Sequence, residues 1–116
     1  MTKRPRNLYD QYHAHVYFGP ETVAQATALC EQAGALFGIS VGRVHERLVG
    51  PHPHWSCQLS FGRSQFDAVI PWLEQNRHGL TVLVHGLTGD DLPDHTLHAS
   101  WLGEPAVLNL AMFGGA

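Results

Sequence analysis

The sequence predicts a single α+β domain with the element order strand, helix, strand, strand, helix, strand, and three observations predict it. Residues 12–18 and 54–61 alternate polar and apolar side chains with the period of a strand. Two other stretches, Val23, Ala26, Cys30 and Ala33, then Phe66, Val69, Ile70 and Leu73, repeat at helical spacing. The length, 116 residues of which 44% are hydrophobic, suits one domain that buries one core without metal or disulfide staples.

In the first strand His13, His15 and Tyr17 share one face, and Ala14, Val16 and Phe18 share the other. Gly19-Pro20-Glu21-Thr22 then reads as a helix start, with proline pre-set for the first turn and Gly34 expected as the stop. Residues 36–49 are expected as a long second strand bent at Gly38 and Gly42. Its second half would set Arg43, His45 and Arg47 on one face, Val44 and Glu46 on the other. Gly50-Pro51-His52-Pro53 is a rigid connection, because two prolines lack donors and push their predecessors toward extended geometry.

The third strand is the clearest: Trp55, Cys57, Leu59 and Phe61 face inward, while His54, Ser56, Gln58 and Ser60 face outward. Ser64-Gln65-Phe66-Asp67 resembles a capping box opening the second helix, which Pro71 is expected to kink and residues 76–79 to end. Residues 80–85 form an apolar strand ending in His85. Beyond a turn-rich loop, Asp94 is expected to cap a short helix over residues 94–98, closed by Trp101-Leu102-Gly103. An added strand is expected within residues 106–113, then a tail at 114–116.

This order is the split βαβ pattern of ferredoxin-like folds. Right-handed crossovers put the first and third strands in the centre, the fourth beside the first and the second beside the third, with both helices on one face. His13, His15, His54, Gln58 and His85 would then face away from the helices. An open polar sheet face of this kind is expected to be covered by a second subunit, giving a homodimeric α+β barrel.

A formal charge of −3 and a single basic cluster, Lys3, Arg4 and Arg6, argue against nucleic acid as a partner. Residues 1–11 are expected as a flexible segment, and 12–113 as the domain. Cys30 and Cys57 have no CxxC spacing and read as buried free thiols. No apolar run follows the basic start or approaches a membrane span, so a cytoplasmic protein is expected. Nine histidines are roughly three to four times the ordinary share.

Several imidazoles on one face suit a divalent transition metal. Two histidines and a carboxylate, with positions left for water and substrate, would suit ferrous oxygenase chemistry. Glu46 is the first carboxylate candidate, ahead of Asp90, Asp91 and Asp94. The alternative is that the histidines satisfy buried hydrogen bonds or line a subunit interface; His78, at a helix end, suits the helix dipole.

The ordered set Tyr12-His13-Ala14-His15-Val16-Tyr17-Phe18, Gly42-Arg43-Val44-His45-Glu46, Gly50-Pro51-His52-Pro53, Trp72-Leu73, Asn76-Arg77, Val82-Leu83-Val84-His85, Thr88-Gly89-Asp90, Asp94-His95 and Trp101-Leu102-Gly103 resembles the DOPA 4,5-dioxygenase family. The similarity spans Tyr12 to Gly103. One departure is Gly86, where the family pattern usually reads proline.

The resemblance implies extradiol cleavage of a catechol ring by dioxygen with non-haem Fe(II), whose place Zn or another divalent metal can take in a purified sample. In fungal members the product is a seco-DOPA type muconic semialdehyde. On this basis His15 and His85 are ligands, with His54 or Glu46 completing the set. His13, His52 and His95 are candidates for acid-base work. Arg43 is the partner for a substrate carboxylate, beside His45 and Gln58. Two other readings compete. A cofactor-independent monooxygenase of the dimeric ferredoxin-like type predicts activity that survives chelation. A metal- or small-molecule-binding protein without turnover predicts no oxygen uptake with any catechol.

Overall fold

The computed structural model describes residues 3–113; the expected tail and the first two residues of the N-terminal segment lie outside them. Five strands form, β1 (Gln11–Phe18), β2 (Ser40–Val41), β3 (Trp55–Gly62), β4 (Val82–Gly86) and β5 (Ala99–Leu102). They make one antiparallel sheet in the order β2-β3-β1-β4-β5, which is the expected ferredoxin-like arrangement with a fifth strand added beside β4. Alternation along β1 sends Tyr12, Ala14, Val16 and Phe18 into the main core. There they meet Cys57, Leu59 and Phe61 of β3 and the apolar stripes of two helices, α1 (Val23–Phe37) and α2 (Arg63–Asn76). Both cysteines are free and buried in this layer, as expected.

The differences from expectation have local causes. Helix α1 runs past Gly34 and stops at Gly38, whose φ of 63° is the left-handed conformation that ends a helix, with its N–H donating to the Gly34 carbonyl at 2.9 Å. The long second strand shrinks to two residues and one isolated bridge, His45 with Ser56. Between them the chain is irregular, and Arg43, Glu46 and Arg47 stay exposed instead of lining a strand face. Helix α2 starts at Arg63, because the Gln65 side chain accepts from the Gly62 N–H at 3.1 Å, ahead of the Ser64–Asp67 box. Pro71 is held within it, and the helix continues to Asn76.

The C-terminal third departs most. A one-turn helix, α3 (Asp91–Asp94), has Asp90 at the cap position, and the expected helix over 94–98 is a turn. Trp101 and Leu102, expected to close a helix, belong to β5. The added strand is therefore this one, and residues 106–113 are irregular with a 3-10 turn at Leu110–Phe113. Four residues carry only two periods of alternation, too few to separate strand from turn in sequence. On the sheet face away from the helices, Tyr17, Leu83 and Ala99 form a second apolar cluster covered by Trp101, Ala106 and Leu108. That face was expected to be open; here the chain itself covers this part of it. Residues 3–10 lack regular structure and lie along β5 and α2, where Trp101 N–H donates to Lys3 O (2.8 Å) and the Asn7 amide donates to Arg63 O (3.0 Å). Among the described residues no helix is long and apolar enough to cross a membrane.

Candidate metal centre

Strand alternation places His13 and His15 on the sheet face away from the helices, and the β1–β4 register sets His85 directly opposite His13. Two other histidines arrive from connections. His52 comes from the turn before β3, flanked by Pro51 and Pro53, and His95 from the residue after α3. Among the described residues two groups of side chains bring ligand atoms within 4.8 Å of one another: His13, His15 and His85, and His15, His52 and His95. His15 belongs to both and is only 5% exposed. The five rings pack as one cluster, with centroids 4.1 Å apart for His15 and His52 and 4.4 Å apart for His85 and His95.

Hydrogen bonds decide which nitrogen each ring presents. His85 Nδ1–H donates to the Gly86 carbonyl at 3.0 Å, and His95 Nδ1–H donates to the Asp91 carbonyl at 2.7 Å. A carbonyl only accepts, so both rings carry the proton on Nδ1 and the lone pair on Nε2, the arrangement in which an outer hydrogen bond orients a metal-ligating histidine. His15 Nε2 lies 3.0 Å from His85 Nε2 and donates to it. Gln58 Nε2–H donates to His13 Nε2 at 3.3 Å, so this ring too carries its proton on Nδ1 and its lone pair on Nε2. His52 Nδ1 pairs with the Tyr17 hydroxyl at 2.7 Å.

Burial and mutual repulsion push His13, His15, His52 and His85 toward the neutral form. His15 is held well below the ordinary histidine range, first by burial and then by its neighbours His52 and His85. Burial, reinforced by His95, lowers both His52 and His85 to about 4. His13 is lowered by burial and by His95, against an opposing pull from Asp94. Asp94 itself is buried and accepts from Thr88 twice, through the Thr88 N–H at 3.0 Å and its hydroxyl at 2.6 Å. Both carboxylate oxygens are therefore engaged in holding the loop that carries His95.

Of the ligands expected from the sequence, His15 and His85 meet at the centre; His54 and Glu46 are exposed and belong to neither group. His54 precedes the first residue of β3, so strand alternation does not reach it; its ring lies against Tyr17, 5.7 Å between centroids. His13, His52 and His95, expected as acid-base groups, all enter the ligand-distance groups. Gln58 touches the centre through His13, His45 is half-buried near His52, and Arg43 is exposed. Tyr17 was not singled out, although its place two residues after His15 on a strand was the signal that could have found it. A cavity of about 420 Å³ opens against His95, walled by Ala99, Trp101, Ala106, Leu108 and Leu110, with Lys3 at its side.

The residues present fit a divalent transition metal. Imidazoles gathered on one largely buried sheet face form the donor set that zinc, copper and iron take, and three of them leave positions for water or substrate. The chain is 34% identical over 110 residues to DOPA 4,5-dioxygenase of Amanita muscaria, covering 87% of this chain and 48% of that protein. It is also 34% identical over 116 residues to an uncharacterized 21.2 kDa protein of Botryotinia fuckeliana, covering 92% of this chain and 63% of the other. The chain thus spans about half of the first relative's length and less than two thirds of the second's. The crystal structure of a candidate dioxygenase from Nostoc punctiforme superposes with a TM-score of 0.87 at 40% identity, covering 91% of this chain and 92% of that one. Residues 12–112 match the family model of the Dopa 4,5-dioxygenase family, and the chain belongs to that family.

Proposed function

We propose that this protein is a metal-dependent dioxygenase that opens a catechol ring by extradiol insertion of dioxygen. The observation that carries the reading is the convergence of His13, His15 and His85 on one point of a buried face, in a chain of this family. In this reading those three side chains hold the metal, and Fe(II) is the ion that matches the chemistry. Bound there, it would supply a centre through which electron density passes between an aromatic diolate and dioxygen.

The protein's own groups do the rest. His95, with Nδ1–H on the Asp91 carbonyl, presents the Nε2 lone pair beside the centre and takes the proton from a catechol hydroxyl. The largely apolar cavity against His95 receives the ring. The Gly86 and Asp91 carbonyls hold the His85 and His95 rings in place, so that little reorganisation is needed when substrate arrives. The partners proposed are a small catechol and dioxygen, and a homodimer remains the proposed assembly.

The test is oxygen uptake and the absorbance of a ring-opened semialdehyde with a panel of catechols, 3,4-dihydroxyphenylalanine and 4-methylcatechol among them, after anaerobic Fe(II) loading. Turnover that a chelator abolishes and Fe(II) restores is expected. Ring opening that survives chelation, or no uptake with any catechol, would overturn the reading.

A further inference from the structure

Tyr17 sits on β1 two residues beyond His15 and on the same face of the sheet. Its ring is 3% exposed and packs with Leu83 and Ala99 in the second apolar cluster. Its hydroxyl has one partner among the described hydrogen bonds, Nδ1 of His52 at 2.7 Å. His52 is itself 7% exposed, and its backbone is pinned on both sides, by its own N–H on Val49 O and by Asn109 N–H on Pro51 O. The pair therefore has a fixed geometry, and what remains to be decided is which member donates.

Accounting for buried protons decides it. If Nδ1–H donated to the phenol oxygen, the Tyr17 hydroxyl proton would be buried with no acceptor, and an unsatisfied buried donor is costly. If the hydroxyl donates to Nδ1, that proton is satisfied, and the His52 hydrogen moves to Nε2. A tyrosine hydroxyl at neutral pH is a phenol and has a proton to donate. His85 and His95 differ from His52 in the partner they meet: each has Nδ1 on a carbonyl, which forces the Nε2 lone pair. A hydroxyl is the only one of the three partners that allows an Nε2–H.

We propose that Tyr17 is a positioning residue that locks His52 as the Nε2–H tautomer, making it a hydrogen-bond donor beside His85 and His95, which present lone pairs. His52 is then no metal ligand. Its N–H takes an oxygen atom, and the chemical class that supplies one is the oxyanion of a bound diolate. This role toward substrate rests on the dioxygenase reading; the tautomer does not.

Nitrogen-15 NMR of the metal-free protein at neutral pH reads the tautomer directly. The His52 Nε2 is expected at the protonated, pyrrole-like shift with Nδ1 at the pyridine-like shift, opposite to His85 and His95. In Tyr17→Phe, which keeps the ring and its packing, the His52 signals are expected to move toward a tautomer mixture. Anaerobic binding of 4-methylcatechol to the Zn-loaded protein is expected to weaken by roughly tenfold in this variant, with metal stoichiometry unchanged. A wild-type His52 with Nδ1 protonated overturns the proposal without any variant, and so does a Tyr17→Phe spectrum identical to wild type. An absence of ring cleavage with every catechol would sink the dioxygenase reading and leave the NMR result standing.

Discussion

Acid should unfold the metal-free protein through its own histidine cluster. His85 is held at about 4, against an ordinary 6.5, chiefly by burial. In the unfolded chain the same imidazole takes its proton near pH 6.5, so between these two values the unfolded state binds more protons than the folded one. Stability is therefore complete above about pH 6.5 and is lost as pH falls toward 4. A gap of this size costs about 2 kcal/mol between pH 7 and pH 5, and about 3 kcal/mol by pH 4, from this one residue. His52 is lowered to the same value and His15 is also held low, so both push in the same direction. Because the rings repel one another, their losses do not simply add. Against a typical domain stability of about 5–15 kcal/mol, the loss is large enough to see in every urea titration. The assay is urea unfolding of the metal-free protein from pH 7.5 to 4.5, followed by tryptophan fluorescence. A midpoint that falls steeply below pH 6.5 in wild type, and less steeply in His85→Gln, is expected. Equal pH slopes for the two proteins would refute the account, because His85 would then titrate alike folded and unfolded.

Three further outcomes are expected. His85→Ala should lose stoichiometric metal while His54→Ala and Glu46→Ala keep it, as read by metal analysis after loading and desalting, since only His85 lies in a ligand-distance group. Gly86→Ala should destabilise the protein by about 1–3 kcal/mol in urea, because the added Cβ would stand 2.4 Å from the Tyr9 ring; in a Tyr9→Ala background most of that loss should vanish. Asp94→Ala removes the acceptor for both Thr88 donors and should cost about 2 kcal/mol in thermal unfolding, with His95 losing its fixed ring orientation in NMR spectra.

What could be read from the sequence was whatever a period of two or of 3.6 controls. The alternation of β1 fixes the faces of His13 and His15, and the apolar run before His85 puts that residue on a neighbouring strand, so the sheet order alone brings them together. Periodicity fails where a strand ends. His54 looked like the next outward residue of β3, but the strand begins at Trp55, and the residue beyond its end is free to turn into solvent. The long second strand failed likewise: with only Ser40 and Val41 in the ladder, nothing aims Glu46 at the centre.

His52 and His95 show what replaces periodicity. Neither lies in a strand, and each is oriented by one hydrogen bond at Nδ1 and by the backbone around it. Such bonds depend on which group stands opposite once the loops have closed, a property of tertiary structure with no trace in the spacing of the histidines. The same dependence separates their chemistry. Two imidazoles in one cluster present a lone pair or an N–H according to whether a carbonyl or a hydroxyl meets the far nitrogen. The role of each loop histidine is therefore written in its partner, Asp91 O for His95 and Tyr17 Oη for His52. Of these only Tyr17 is a side chain, and so only at His52 can a single substitution change the nitrogen presented without moving the ring.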